Sequence, residues 1–198
     1  MNDSSKGRNR DALPWAPPRV GVPVERRDSW EVAVHGARAG LLAGVALGAG
    51  EIIASTILSS DPRLPFDFAT AIVVGPDALA PTFPFAAALA LGTVLHLLLS
   101  IVFGVAFLAG LALTFQLSAR PSLMVVYGML FGVTVWEVNF LAVLPVVAPK
   151  LTGRLDLPMQ LWNGIVSYCL VYGPALALYV IRVRPGMLDQ WWRTDGDA

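Results

Sequence analysis

The chain has 198 residues, of which 56% are hydrophobic and only 14% are charged, and its formal net charge is zero. Once long apolar segments are subtracted, little material is left for a separate soluble domain. The basic residues are spread along the sequence without a folded basic domain, which argues against a nucleic-acid partner. A single cysteine, Cys169, excludes an internal disulfide and a metal site built from two thiols, so no metal is expected.

Four segments of the sequence are apolar and long enough to cross a bilayer. A helix needs about 20 apolar residues to span roughly 30 Å of hydrocarbon. The predicted spans cover residues 35–58, 85–110, 122–145 and 159–181. The chain is therefore predicted to be an all-α integral membrane protein, with a four-transmembrane-helix bundle within a domain of residues 34–183.

The two ends of the chain are polar and predict the orientation of the bundle. Residues 1–33 are proline-rich and basic without an apolar core, which indicates a disordered cytoplasmic tail and not a cleavable signal peptide. Eleven of the 14 lysines and arginines lie in this tail, at the start of the first span, between spans two and three, or near and after the end of the fourth span. The positive-inside rule then predicts an N-in/C-in multi-pass membrane protein, with a second cytoplasmic tail at residues 184–198.

The connection between the first two spans is unusually apolar and rich in proline. Its stretch Phe66–Val74 is too short to span the membrane but too hydrophobic to stay in water. We predict a short interfacial or re-entrant helix there, ended by Gly75 and Pro76.

Small residues recur at four-residue intervals in the spans and predict close helix packing. Such stripes let two helix backbones approach within a membrane, where lipid tails provide no hydrophobic drive for helices to associate. The first span carries a glycine ladder, the second a mixed stripe that includes His96, and the third a glycine pair. The predicted packing residues are Gly36, Gly40, Gly44, Gly48, Gly92, Ser100, Gly104, Gly128 and Gly132.

All four spans place polar groups in the same slab of the membrane, at or above the midplane. A charge at the bilayer centre costs at least about 2.5 to 3.5 kcal/mol on insertion scales, so these groups are expected to face the bundle interior. The predicted intramembrane polar cluster comprises Glu51, His96, Glu137, Asn163 and Ser167. Such a cluster is typical either of hydrogen bonds that set helix register or of a proton or ion path.

Catalytic motifs are missing from the sequence. It has no GxSxG, HExxH or CxxC motif and no glycine-rich phosphate loop with a lysine. Ser100 and His96 lack a third group, so no enzyme activity and no catalytic residue is predicted. Ala88, Gly92 and His96 at four-residue spacing leave room for a (bacterio)chlorophyll on His96, although the same stripe suits helix packing. No other cofactor is expected.

Several segments carry a resemblance to other proteins. They are AGLLAG (Ala39–Gly44), ATAIVVGPDAL (Ala69–Leu79), LHLLLSIVFG (Leu95–Gly104), YGMLFG (Tyr127–Gly132) and the pair Asn139 and Phe140. In these segments the chain resembles a family of small four-span bacterial inner-membrane proteins of uncharacterised function, often encoded near cytochrome c oxidase or other respiratory genes. The resemblance implies association with an electron-transport complex and carries over no catalytic residue.

Three functions are compatible with these features. The favoured one is a non-catalytic accessory or structural subunit of a larger bacterial membrane electron-transport complex, either respiratory or photosynthetic. Its partners would be the other subunits of that complex and the lipid bilayer. The alternative is a small proton or ion conductor that uses the Glu/His cluster, and the third is a pigment-binding subunit that uses His96.

Overall fold

The computed structural model describes residues 29–113, 121–152 and 157–183, and this part of the chain is helical with short connecting turns. Four of its helices are long and apolar enough to cross a membrane: Trp30–Ser59, Phe85–Leu111, Pro121–Val147 and Pro158–Val183. The prediction of four apolar spans is confirmed, and the spans indicate a multi-pass membrane protein. Most of the predicted N-terminal tail, residues 1–28, and the tail 184–198 lie outside the described residues.

The first span is helix α1 (Ser29–Ser59), which begins earlier than the predicted start at residue 35. Glu31 lies in its first turn, where the positive end of the helix dipole stabilises a carboxylate. The helix ends before Ser60, whose φ of 56° belongs to the left-handed region and does not continue a right-handed helix.

A short helix follows where the sequence predicts one. Helix α2 (Leu64–Val74) leads into a 3₁₀ turn (Pro76–Leu79), and α3 (Phe85–Leu113) forms the second span. Gly75 separates α2 from the turn with a φ of 104°, a conformation that glycine adopts without strain. Whether α2 lies in the membrane interface or re-enters the membrane stays a prediction.

Polar side chains attach α2 to α3 and to the turn that precedes α3. Arg63 donates from Nε to Asp67 Oδ2 at 2.6 Å and from a terminal nitrogen to the carbonyl of Phe83 at 2.6 Å. Further along, the Thr70 hydroxyl donates to the carbonyl of Ala88 at 3.0 Å. Asp67 and Thr70 are buried, so these bonds satisfy polar groups that water does not reach.

The third span continues past Pro145, slightly beyond the predicted span of residues 122–145. It consists of α4 (Pro121–Glu137), a π-helical turn (Val138–Val143) and α5 (Leu144–Val147). Proline lacks the N–H that would bond to the carbonyl four residues earlier. The wider π turn directly before Pro145 absorbs that loss, an adjustment by which transmembrane helices tolerate proline.

The fourth span changes helix type next to a proline, Pro174. It runs from α6 (Leu157–Leu161) through a long π-helical segment (Trp162–Tyr172) into α7 (Gly173–Val183). Pro174 stands at the second position of α7, just beyond the π segment. The missing N–H is again accommodated by wider turns on the N-terminal side.

Most of the apolar core lies in one half of the bundle, the half predicted to be cytoplasmic. Its buried members are Ala39, Ala43, Leu47, Phe107, Leu108, Leu111, Met124, Tyr172, Leu176, Ala177, Tyr179 and Val180. A smaller buried cluster joins α2 to the far end of the third span and comprises Ala71, Ala78, Leu144 and Leu151. Polar side chains collect between these two clusters.

Candidate functional site

The glycine ladder of α1 packs directly on the stripe of α3, and these two helices share the most extensive interface of the described residues. A methyl group added at Gly36 would lie 2.6 Å from the Cα of Val105, and one added at Gly44 would lie 2.6 Å from Oγ of Ser100. Gly40 faces the carbonyl of Ser100 just as closely. Only a hydrogen atom fits at these positions, which is why the two backbones can approach.

The other predicted packing residues also face neighbouring helices, although not always the expected one. Gly104 lies against the ladder of α1, whereas Gly92 in the same stripe lies against the backbone of Phe66 in α2. Gly128 and Gly132 of the third span lie against the fourth span. The bundle therefore consists of two close pairs, α1 with α3 and the third span with the fourth.

His96 reaches across the first of these interfaces to α1. Its Nε2 lies 2.9 Å from the carbonyl oxygen of Gly44, and its Nδ1 lies 3.7 Å from Oε2 of Glu51. A carbonyl oxygen only accepts hydrogen bonds, so Nε2 carries a proton and Nδ1 is the nitrogen that faces the acid. At 3.7 Å the acid and the ring are neighbours without a direct hydrogen bond.

Ser100 and Tyr172 brace the same part of α3. The Ser100 hydroxyl donates to the backbone carbonyl of His96 at 2.8 Å, and the Tyr172 hydroxyl donates to the backbone carbonyl of Ser100 at 3.0 Å. The serine hydroxyl is thus bonded to the backbone and not to the imidazole ring. This geometry provides no activated nucleophile.

A cavity of about 560 Å³ opens beside the Glu51–His96 pair. Its walls come from α1, α2, α3, the π turn of the third span and the fourth span, and most of the lining side chains are apolar. Val73 and Val147 also line it and are 70% and 57% exposed, so the cavity opens onto the outer surface of the bundle. Its volume lies in the range of about 300 to 1,000 Å³ that is usual for small-molecule sites.

Asn163 and Ser167 lie in the π-helical segment of the fourth span and are buried, with 7% and 0% exposure. Asn163 lines the cavity together with Glu51 and His96. Within the described residues, Asn163 Oδ1 and Ser167 Oγ have no hydrogen-bond partner. Buried polar atoms without a partner are rare in native proteins, so these two atoms need a partner that the described residues do not supply.

Glu137 does not join the cluster. The sequence predicts that it faces the bundle interior, but it is exposed on the outer face of the third span and does not line the cavity. Gly128 and Gly132 set the inward face of this helix, and Glu137 follows Gly132 by five residues, about 140° around a helix of 3.6 residues per turn. The spacing between the glycine pair and Glu137 in the sequence therefore indicates that Glu137 points outward.

The structure adds cavity residues that the sequence analysis did not assign to the cluster. Tyr168 and Asn139 interact with each other through their side chains, and both line the cavity. Ser55 of α1 and Phe68 of α2 line it as well. Asn139 stands out in the sequence as a polar residue in an apolar span. The sequence also predicts the short helix α2, but no local pattern indicates that α2 packs over the Glu51–His96 pair.

The (bacterio)chlorophyll site on His96 stays a prediction. Nε2 of His96 is hydrogen-bonded to the carbonyl of Gly44, and Nδ1 faces Glu51 at 3.7 Å. In the stripe that is predicted to leave room for a macrocycle, Gly92 lies against the backbone of α2 and Ala88 is fully buried.

Comparison of the chain with protein-family models, with curated proteins and with solved structures gives no match.

Proposed function

We propose that this protein is a non-catalytic accessory subunit that packs against a larger bacterial membrane electron-transport complex. The observation that supports a packing role is the exposed face of the third span. Its members recur at three- and four-residue intervals along one side of the helix: Leu123, Val126, Leu130, Thr134, Glu137 and Leu141. The face is apolar except for two residues, and one of them is an acid.

The acid lies deep in the span. Glu137 stands 16 residues after Pro121 and 10 residues before Val147. At a rise of 1.5 Å per residue these separations are about 24 Å and about 15 Å, which puts the carboxyl group inside a hydrocarbon layer roughly 30 Å thick. An acid facing lipid at that depth costs at least about 2.5 kcal/mol on insertion scales.

A partner helix removes this cost, whereas lipid does not. Thr134, the other polar residue of the face, already donates its hydroxyl to the carbonyl of Leu130 at 3.0 Å. Glu137 has no such partner among the described residues, so it is the group on this face that needs one. The partner proposed here is a transmembrane helix of another protein that presents a hydrogen-bond donor or a cation to the carboxyl group.

The electron-transport part of the proposal rests on the resemblance of Ala39–Gly44, Ala69–Leu79, Leu95–Gly104 and Tyr127–Gly132 to proteins encoded near respiratory genes. The non-catalytic part rests on the Ser100 hydroxyl, which bonds to the backbone instead of to His96.

The test is the assembly state of the tagged chain, extracted from its native membranes with a mild detergent and run on blue-native gels. The wild-type protein is expected to migrate with a larger complex that mass spectrometry identifies through electron-transport subunits. Glu137→Leu is expected to fold and insert but to migrate alone. Thr56→Leu removes an exposed polar residue from α1 instead and is expected to assemble like the wild type.

Three outcomes would contradict the proposal. A wild-type chain found only as a free monomer or homo-oligomer removes the accessory role. Normal assembly of Glu137→Leu removes the third-span face as the docking surface. A stable complex without any electron-transport subunit leaves the packing role but removes the proposed context.

The close approach of Glu51 and His96 supports a second candidate, a small proton or ion conductor. A conductor needs a polar path through the rest of the membrane. Among the described residues, the half of the bundle on the other side of His96 is filled by the main apolar core. Proton flux into proteoliposomes that is unchanged in Glu51→Gln would remove this candidate.

A further inference from the structure

The cavity beside Glu51 and His96 has the features of a ligand site, and nothing in the proposed accessory role requires it. It is large, mostly apolar and open at the outer surface of the bundle, at Val73 and Val147. The polar side chains at its wall include Asn163, which is 7% exposed and whose Oδ1 has no partner in the described part of the chain. A ligand in the cavity would therefore lie against an amide whose hydrogen-bonding capacity the described residues leave unfilled.

The charge of the wall limits what the head group of such a ligand can be. No lysine or arginine occurs among the described residues that line the cavity, and Glu51 is the acid that does. A phosphate or a free carboxylate would meet an acid without a compensating cation, which is unfavourable in a low-dielectric site. An anionic head group is therefore disfavoured, whereas a neutral one avoids this cost.

The polar groups further require a head that both accepts and donates hydrogen bonds. The Asn163 amide and the Tyr168 hydroxyl are donors, and Asn163 Oδ1 is an acceptor. Glu51 Oε2 lies 3.7 Å from His96 Nδ1, and a carboxyl group accepts a hydrogen bond when ionised and donates one when protonated. A ring with carbonyl groups that become hydroxyl groups on reduction matches such a wall in both of its states.

We propose that this cavity binds a prenyl quinone or quinol from the bilayer. The ring would lie against Glu51, His96 and Asn163, and the prenyl tail would leave along the apolar side of α2, past Ile72 and Val73. The proposal concerns binding and is independent of the docking face at Glu137, which lies outside the cavity.

The test follows the tryptophan fluorescence of the purified full-length protein in phosphatidylcholine nanodiscs during titration with decylubiquinone. Trp162 directly precedes Asn163, and the ring of Trp136 lies 6.1 Å from that of Phe140, a residue of the cavity wall. Quinones quench indole fluorescence, so an occupied site is expected to produce a saturable component above the linear quenching caused by quinone dissolved in the lipid.

Three variants separate the site from the lipid background. Ala69→Phe fills the cavity from α2, and Asn163→Leu removes the polar side chain with the unfilled acceptor; each is expected to weaken apparent quinone affinity at least tenfold. Ala90→Phe makes the same change at an exposed position of α3 that does not line the cavity, and is expected to bind like the wild type. Asn163→Leu tests the site even if Ala69→Phe does not fold.

Purely linear quenching of the wild type, or an equal saturable component in all variants, would overturn the quinone site. Displacement of decylubiquinone by oleic acid at equal concentration would also overturn it, because the cavity would then be an acyl-chain groove without selectivity for the head group. Loss of assembly in Glu137→Leu with unchanged quinone binding would show that assembly and quinone binding depend on different parts of the protein. Failure of one proposal then does not refute the other.

Discussion

Replacing Gly40 with alanine places a methyl group where α1 and α3 are in closest contact. The added carbon would lie 3.0 Å from the Cα of Ile101 and even closer to the carbonyl of Ser100. The two helices therefore have to separate by about 1 Å before the methyl group clears the Ser100 carbonyl, and such a gap loses about half of each contact energy.

The magnitude follows from the size of the contact. If about 40 heavy-atom pairs at about 0.15 kcal/mol each are affected, the loss is about 3 kcal/mol. Alanine recovers about 1 kcal/mol through its higher helix propensity. Gly40→Ala is therefore expected to lower the free energy of unfolding by about 2 kcal/mol. It is also expected to pull Gly44 away from the His96 ring, which the Gly44 carbonyl now contacts at 2.9 Å.

The matched control is Gly50→Ala in the same helix. There the added methyl group would meet only Oγ of Ser167, at 3.8 Å, which is an ordinary contact. Its expected effect is neutral or stabilising, because the propensity gain is not opposed. The assay is reversible unfolding in mixed detergent micelles, followed by circular dichroism. If Gly40→Ala is as stable as Gly50→Ala, the close approach of α1 and α3 does not exist as described.

Three further predictions concern other parts of the structure. Arg63→Gln leaves the buried Asp67 carboxylate without its cation and is expected to cost about 1 to 3 kcal/mol of unfolding free energy; an unchanged value would contradict the attachment of α2 by this pair. Tyr172→Phe removes one buried hydrogen bond to α3 and is expected to cost about 0.5 to 1.5 kcal/mol in the same assay, whereas a stabilised variant would refute the bond. For the predicted N-in/C-in topology, cysteines introduced at Lys150 and Ser122 in a chain without its native cysteine are expected to react with a membrane-impermeant maleimide from opposite sides; labelling from one side would refute it.

The glycine stripes show how far local sequence patterns lead. The four-residue period of Gly36, Gly40 and Gly44 predicts a flat helix face, and the structure packs α3 on it. The same reasoning placed Gly92 in one stripe with His96, yet Gly92 meets α2, because a helix of 29 residues has room for two neighbours along one face. A period identifies the face but not its partner.

The polar residues show where such reasoning ends. Glu51 and His96 are predicted in one slab of the membrane, with His96 the deeper of the two, on helices with matching stripes, and the structure brings them to 3.7 Å. Glu137 is predicted at about the depth of Glu51, but depth depends on position along a helix, whereas direction depends on the rotation of the helix about its axis. The rotation of the third span follows from Gly128 and Gly132 packing on the fourth span, and it turns Glu137 outward.

The sequence by itself determined that four helices of this chain are suited to a membrane, because transfer into hydrocarbon is a sum over about 20 neighbouring residues and needs no knowledge of the fold. The tertiary structure alone decided that α2 closes a cavity over Glu51, His96 and Asn163, since that wall depends on contacts between residues far apart in sequence. It also decided that the helices pass Pro145 and Pro174 through π turns, because only packed neighbours determine whether a proline ends a helix or widens it.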